Sequence, residues 1–344
     1  MKKKQATIKD IARELQISHS TVSRALSEDR KVSALVAEKT RKRVRQVATE
    51  LDYSPNLMAQ GFVTGRTSTL GLLTYQIFRE MFGRQTDQIL RVADKQKYLI
   101  LMMAPNRLRG LSPEDQTVHI KQLLSRGIDG LLINTRGDQG ESERIVNTVQ
   151  GRVPVVTFTH PTPNLSGVVL DDAASYYEAT AHLIRLKHEQ IGFIGTDWNK
   201  DCVDSTKGKG YLRAMQKHGL TPQCIPGKTL PAKPTYCLGK KLGDRFTALV
   251  CRDDYMAIGA CRGLREAGLR VPEDVAVVGS GDLEVGAYVT PALTTLATPY
   301  KAIAERVMEL MWEQLEGRDE PRQVTLESSL VVRESCGENT SSKK

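Results

Sequence analysis

Thr7–Leu26 reads TIKDIARELQISHSTVSRAL, and this stretch decides what kind of protein the chain is. Ile8, Ile11, Ala12 and Leu15 recur at the spacing of one helix face, with Thr7 placed to cap the start. Ile17 closes a corner, and Ser18 is a second N-cap ahead of Val22, Ala25 and Leu26. Two short helices joined by a tight turn form a helix-turn-helix, whose second helix enters the DNA major groove. Its outward side carries His19, Ser20, Ser23 and Arg24, all short or polar enough to reach base edges or phosphates.

The charge distribution supports a polyanion at this end. Residues 1–66 hold 14 Lys and Arg against 7 Asp and Glu, a balance of +7, and the remaining residues hold 35 against 33, only +2. A basic head on a nearly neutral body implies that the head alone meets nucleic acid. At 344 residues the chain has room for more than one domain and a substantial core. The six cysteines include no Cys-x-x-Cys pair and no His at metal-ligand spacing, so reduced thiols and no bound metal are expected. Neither a signal peptide nor a long apolar run is present, which predicts a cytoplasmic protein with no membrane partner.

After Leu26 a polar loop leads to Ser33, read as the cap of a longer third helix. Its buried stripe is Val36, Val44, Val47, Ala48 and Leu51, and Lys39, Arg41, Lys42, Arg43 and Arg45 load its exposed side. Tyr53-Ser54-Pro55 ends it, because the residue before a proline is pushed out of the α region. TIKDIA, ISHSTVSRAL, VSALVAEKTRKRV and LDYSPNLMAQGF together resemble the LacI/GalR family of bacterial transcription regulators. The resemblance makes His19 and Ser20 the main specificity positions, and Thr21, Ser23 and Arg24 contacts to phosphates or bases. It extends the DNA-binding set to Thr7, Ser18, Tyr53, Asn56 and Ala59. Asn56–Gly65 matches a hinge helix that wedges a leucine into the minor groove; Phe62 holds the wedge position here, and a phenyl ring can also part a base step. Gln16 replaces the usual glycine of the turn, and about four extra residues near Leu35–Glu38 are read as lengthening the start of the third helix.

From Ser68 the pattern changes to apolar runs alternating with amphipathic stretches. TLGLL, KYLILMMA, GIDGLLI, VPVVTF, QIGFIG, FTALVC and VAVVGSG read as strands buried on both faces. Helical patterns between them argue for an α/β body of doubly wound parallel sheets in two lobes, with a ligand cleft beyond the carboxyl ends of the strands. DDAASYYEATAHLIRLKHEQIGFIG, KGKGYLRAMQKHGL, REAGLRVPEDVAVVG and TPALTTLATP continue the family resemblance. That resemblance implies a periplasmic-binding-protein-like effector domain with crossings near Ser166, Leu296 and Ser328. The expected organisation is a helix-turn-helix domain at 1–55, a hinge at 56–67, an effector and dimerisation domain at 68–336 and a polar tail at 337–344. Lobe 1 takes about 68–166 and 296–327, and lobe 2 about 167–295 and 328–336.

Cleft positions follow the family less closely. Lys207 stands where an arginine is common, Asp253 where an asparagine is, and Gly281-Asp282 where two aspartates are. Thr159-His160 occupies a strand tip that commonly holds an aspartate. Lys207 and Asp253 are carried over as effector contacts, with Tyr75, Arg107, Thr159, Arg252 and Asp282 as further candidates. Fewer acceptors beside Lys207 and Arg252 favour an anion, a sugar acid or sugar phosphate, over an uncharged sugar. No phosphate-cradling glycine loop and no catalytic triad can be read, so neither an enzyme nor a cofactor is expected. The expected activity is repression of carbohydrate-catabolic genes by a homodimer on a pseudo-palindromic operator, controlled by a sugar-like effector. Two alternatives stand beside it: a regulator without small-molecule control, and a sugar-binding transport protein, which would need a signal peptide and no basic head.

Overall fold

The structure is a computed structural model describing residues 6–27, 30–54, 66–75, 77, 79–105, 112–196, 206–227, 236–237, 239, 242, 245–318 and 320–338. It divides into two compact units, Met1–Ser68 and Thr69–Lys344. In the first, α1 (Ile8–Leu15), α2 (His19–Leu26), a single turn α3 (Arg30–Ser33) and α4 (Glu38–Glu50) surround a small core. Ile11, Ala12, Val22, Ala25, Val36, Val44 and Ala48 are its buried side chains, with Ile8, Leu15, Ile17, Leu26 and Tyr53 packed at the margin. The corner between α1 and α2 turns at Gln16, whose φ of 52° is the left-handed conformation that ends a helix. Ser33 does not cap the long helix: it closes α3, and α4 starts only at Glu38. The additional residues therefore form a loop before α4 rather than extra helix.

The second unit holds two six-stranded sheets. β1 (Thr69–Leu73), β2 (Leu99–Met103), β3 (Gly130–Asn134), β4 (Val155–Thr159), β5 (Ser166–Leu170) and β11 (Gln323–Leu326) make the first, in the order β11-β5-β4-β3-β1-β2, all parallel. The second contains β6 (Ile191–Thr196), β7 (Gln223–Gly227), β8 (Ala248–Cys251), β9 (Ala276–Ser280), β10 (Thr294–Ala297) and β12 (Ser329–Val331), in the order β12-β10-β9-β8-β6-β7. Only the β10–β12 pair is antiparallel. The connecting helices are α5 (Glu80–Lys95), α6 (Pro113–Leu124), α7 (Glu141–Val149), α8 (Asp172–Arg185), α9 (Thr206–Lys217), α10 (Asp254–Glu266) and α11 (Tyr300–Leu315). Both sheets are doubly wound, because parallel strands need crossover helices and those helices bury both sheet faces.

The chain passes between lobes three times. The first passage follows Leu170, not Ser166, because Ser166–Leu170 pairs with β4 and β11 and so belongs to the first sheet. The return follows Ala297, and the last passage lies between Leu326 and Ser329. The reading of seven strands omits β5, β7, β10, β11 and β12, which are short or carry polar and proline residues. β2 is an edge strand with Leu99 and Met102 exposed, so it is not buried on both faces. Cys237, Cys251, Cys261 and Cys336 are free, but Cys224 is disulfide-bonded, which corrects the expectation that every thiol is reduced. Spacing rules do not see a bridge that folding creates. Burial holds His188 below its ordinary pKa.

Candidate nucleic-acid interface and effector site

In the first unit, sequence and geometry meet at two helix starts. The Thr7 amide and Oγ1 both donate to Asp10 Oδ2, at 2.9 and 2.7 Å, which fixes the start of α1. Ser18 Oγ accepts from the Thr21 amide at 3.1 Å and lies 2.8 Å from both Ser20 Oγ and Thr21 Oγ1. Val22 and Ala25 are buried, so α2 is oriented by its apolar side and presents His19, Ser20, Ser23 and Arg24 outward. Thr21 is half-buried, and Tyr53 packs its ring on the core. Thr7 and Ser18 thus have structural work as caps as well as an exposed position. Asn56, Ala59 and Phe62 lie outside the described residues, as does Arg107 of the effector set.

In the second unit the remaining candidates gather at the carboxyl ends of the strands. Tyr75 follows β1, Thr159 ends β4, Arg252 and Asp253 follow β8, Asp282 follows β9 and Lys207 opens α9. Tyr75 donates its hydroxyl to Thr135 O at 3.2 Å, and the same carbonyl lies 2.8 Å from His160 Nδ1. Thr159 holds a φ of 92°, a rare value for a β-branched residue, and its Oγ1 donates to Asn134 Oδ1 at 2.9 Å. Across the mouth, Arg252 O accepts from Tyr176 Oη at 2.6 Å and from Lys207 Nζ at 3.3 Å, with the ammonium 5.2 Å from the centre of the Tyr176 ring. Burial pushes the Tyr75 and Tyr176 hydroxyls above their ordinary pKa, and the Arg252 charge opposes that shift at both. Tyr75 is on the first lobe and Tyr176 on the second, so Arg252 acts across the mouth.

Two expected acceptors are already engaged. Asp253 caps α10, its Oδ1 accepting from the Met256 amide at 2.9 Å. Asp282 pairs through Oδ1 with Arg333 Nη2 at 2.6 Å, and its carbonyl accepts from Arg84 Nη1 at 2.5 Å. Arg84 belongs to the first lobe and also sits 5.2 Å from the Tyr300 ring, while the Glu284 amide donates to Glu80 Oε1 at 2.9 Å. The segment after β9 is therefore a clasp between lobes as much as a ligand surface. Asp254 holds it from below: its Oδ2 accepts from the Leu283 amide at 2.8 Å and its Oδ1 from Thr295 Oγ1 at 2.6 Å. Sequence reasoning missed Asp254, Arg84, Glu80 and Arg333. Only Asp254, adjacent to the singled-out Arg252-Asp253 pair, carried any local signal.

Two stretches of the chain have known counterparts. Residues 7–56 match the family described as "Bacterial regulatory proteins, lacI family", and residues 180–336 match the "Periplasmic binding protein-like domain". The HTH-type transcriptional repressor PurR of Aliivibrio fischeri (strain MJ11) is 30% identical over 339 residues, covering 96% of this chain and 98% of that protein. The chain belongs to the LacI family of bacterial regulatory proteins. As a LacI-family member it is a DNA-binding regulator with a ligand-binding effector domain, and not an enzyme. A PurR of Haemophilus influenzae (strain ATCC 51907 / DSM 11121 / KW20 / Rd) is 28% identical over 341 residues, covering 96% of this chain and 98% of its own. Among solved structures, a lac repressor dimer bound to operator and the anti-inducer ONPF has the same fold, with TM-score 0.86, 23% identity and coverage of 97% and 99% of the two chains. The Escherichia coli transcriptional repressor ascG aligns with TM-score 0.67 and 25% identity over 78% of this chain and 98% of its own. Among the described residues no helix is long and apolar enough to cross a membrane, and no cluster of His, Cys, Asp and Glu could hold a metal ion.

Proposed function

We propose that this LacI-family protein is a repressor of carbohydrate-catabolic genes, acting as a homodimer and released from or recruited to its operator by an anionic, sugar-like effector. The observation that carries the effector reading is the state of the charges around the mouth. Asp253 and Asp282 each commit one carboxylate oxygen, to a helix cap and to Arg333, whereas Lys207 forms no ion pair among the described residues. A neutral sugar needs free acceptors for its hydroxyls, and each unmatched buried polar group costs about 1–3 kcal/mol. A carboxylate or phosphate needs the reverse, a cation with donors to spare.

In this reading residues 1–55 bind DNA, 56–67 form the hinge and 68–336 bind effector and pair the subunits. Exposed His19, Ser20, Ser23 and Arg24 contact bases and phosphates, Thr7, Ser18, Thr21, Tyr53, Asn56 and Ala59 position the head, and Phe62 enters the minor groove. Tyr75, Arg107, Thr159, Lys207, Arg252, Asp253 and Asp282 surround the effector. Leu90, Leu99 and Met102 leave apolar surface on α5 and along the free edge of β2, which supports pairing through the first lobe. Repression is favoured by the relatives, repressors by name.

A second effector class is tested beside it: the relatives are repressors named PurR, and purine bases are included for that reason. One experiment separates the readings. Operator affinity of the full-length protein is measured by fluorescence anisotropy while neutral sugars, aldonates, uronates, sugar phosphates and purine bases are titrated. A response to an acid or phosphate that Lys207→Gln abolishes is the expected result. A response to neutral sugars or purines alone ends the anion reading, and no response to any of them favours a regulator without small-molecule control.

A further inference from the structure

We propose that a groove on the outer side of the first lobe, between α6 and α7, binds a small phosphorylated metabolite. The groove encloses about 390 Å³ and is lined by Lys121, Arg144 and Arg152 with Thr117, Asn147 and Thr148 among the neutral residues. No carboxylate lines it. The three cations form no ion pair among the described residues, so like charges converge on one hollow without a counter-charge. Arg144 Nη1 donates to Gln139 O at 3.1 Å, but its Nε is buried and has no hydrogen-bond partner.

The backbone that would oppose an anion is already met by a cation. The groove lies at the carboxyl end of α7, where free carbonyls carry partial negative charge. Arg152 has already met them: its Nε donates to Val149 O at 3.0 Å and its Nη2 to Thr148 O at 2.7 Å. Thr148 Oγ1 turns back to Arg144 O at 2.6 Å, which fixes that wall. What remains is two guanidinium groups held by backbone carbonyls and an exposed ammonium on Lys121 lining one groove, a set that suits the doubly charged head of a phosphate ester better than a single carboxylate. The volume falls at the small end of ligand clefts, which span about 300–1,000 Å³, and suits a small molecule. Strands and crossover helices run in opposite senses, so the carboxyl ends of α6 and α7 lie at the end of the first sheet away from the effector mouth. This site is therefore separate from the one proposed above, and stands or falls without it.

Isothermal titration of the full-length protein with inorganic pyrophosphate, and separately with ribose 5-phosphate, tests the assignment. Both probes bind the unaltered protein, Lys121→Gln/Arg144→Gln weakens them at least about tenfold, and Lys121→Arg retains them. Lys207→Gln/Arg252→Gln, altered only at the effector mouth, leaves pyrophosphate binding in place, and any ribose 5-phosphate binding it removes belongs to the mouth. Should the double groove variant fail to fold, exposed Lys121→Gln alone still weakens the probes several-fold. Absence of binding to the unaltered protein overturns the proposal, as does pyrophosphate binding lost in the mouth variant and kept in the groove variant. A groove that instead meets DNA phosphates reveals itself as lost operator affinity in Lys121→Gln/Arg144→Gln without any probe, and that result overturns it too.

Discussion

Replacing Asp254 with asparagine tests how the second lobe carries a buried carboxylate beneath its clasp. The residue is fully buried, and both of its oxygens accept hydrogen bonds, from the Leu283 amide and from Thr295 Oγ1. Burial pushes its pKa up to about 6 from 3.8, with those hydrogen bonds working against the shift. One pKa unit corresponds to about 1.4 kcal/mol, so the ionised folded form costs about 3 kcal/mol relative to the unfolded chain. Between these two pKa values the folded protein binds more protons than the unfolded chain, so stability falls as pH rises. The favourable contribution is complete below about pH 4 and lost as pH rises through about 6. Asparagine never ionises; its Oδ1 can accept from the Leu283 amide while its Nδ2 donates to the Thr295 hydroxyl. Asp254→Asn is therefore expected to be more stable than the unaltered protein by about 3 kcal/mol near neutral pH and nearly equal to it near pH 4. Urea denaturation followed by circular dichroism across that range measures the gap. A gap that stays constant with pH, or grows toward acid, would refute the reasoning. Asp254→Ala separates charge from hydrogen bonding, because it strands both donors and loses about 1–3 kcal/mol for each at every pH.

Ser18→Ala removes the acceptor for the Thr21 amide and should cost the head about 1 kcal/mol in thermal unfolding, with operator affinity weakened in parallel; Ser18→Asp should restore the cap. A fall in operator affinity with no change in head stability would show that Ser18 matters as a DNA contact rather than as a cap. Gly210→Ala puts a methyl group against the Ala173 carbonyl and within 2.9 Å of Tyr176 Cβ, where α9 crosses α8. Neither helix can yield cheaply, so the change should cost about 1–3 kcal/mol or more in urea denaturation and disturb Lys207 on the same helix. An unaltered midpoint would mean that the helices separate easily.

The readable parts of this protein are those in which a residue is governed by close neighbours in the chain. The spacing Ile8, Ile11, Ala12, Leu15 and the caps Thr7 and Ser18 specify two helices and their corner. The structure adds only that Gln16 accepts the left-handed conformation without being glycine. The apolar runs of the seven strands found from sequence are legible for the same reason, since a strand buried on both faces needs little but apolar side chains. Ser166–Leu170 and the short strands β10 to β12 have no such signature and owe their place to partners elsewhere in the chain.

Sequence alone determined the class: a DNA-reading head and a two-sheet α/β body that collects Tyr75, Thr159, Lys207, Arg252, Asp253 and Asp282 at the strand ends. Tertiary structure decided which of those side chains remain free. Arg333 reaches Asp282 from 51 residues away and Arg84 from 198, engaging one carboxylate oxygen and the carbonyl that a reading of GSGDLE leaves open. Local patterns arise from helix and strand periodicity, which repeats within a few residues. The pairing of a charge is set by whichever element folding brings alongside, and that carries no period along the chain.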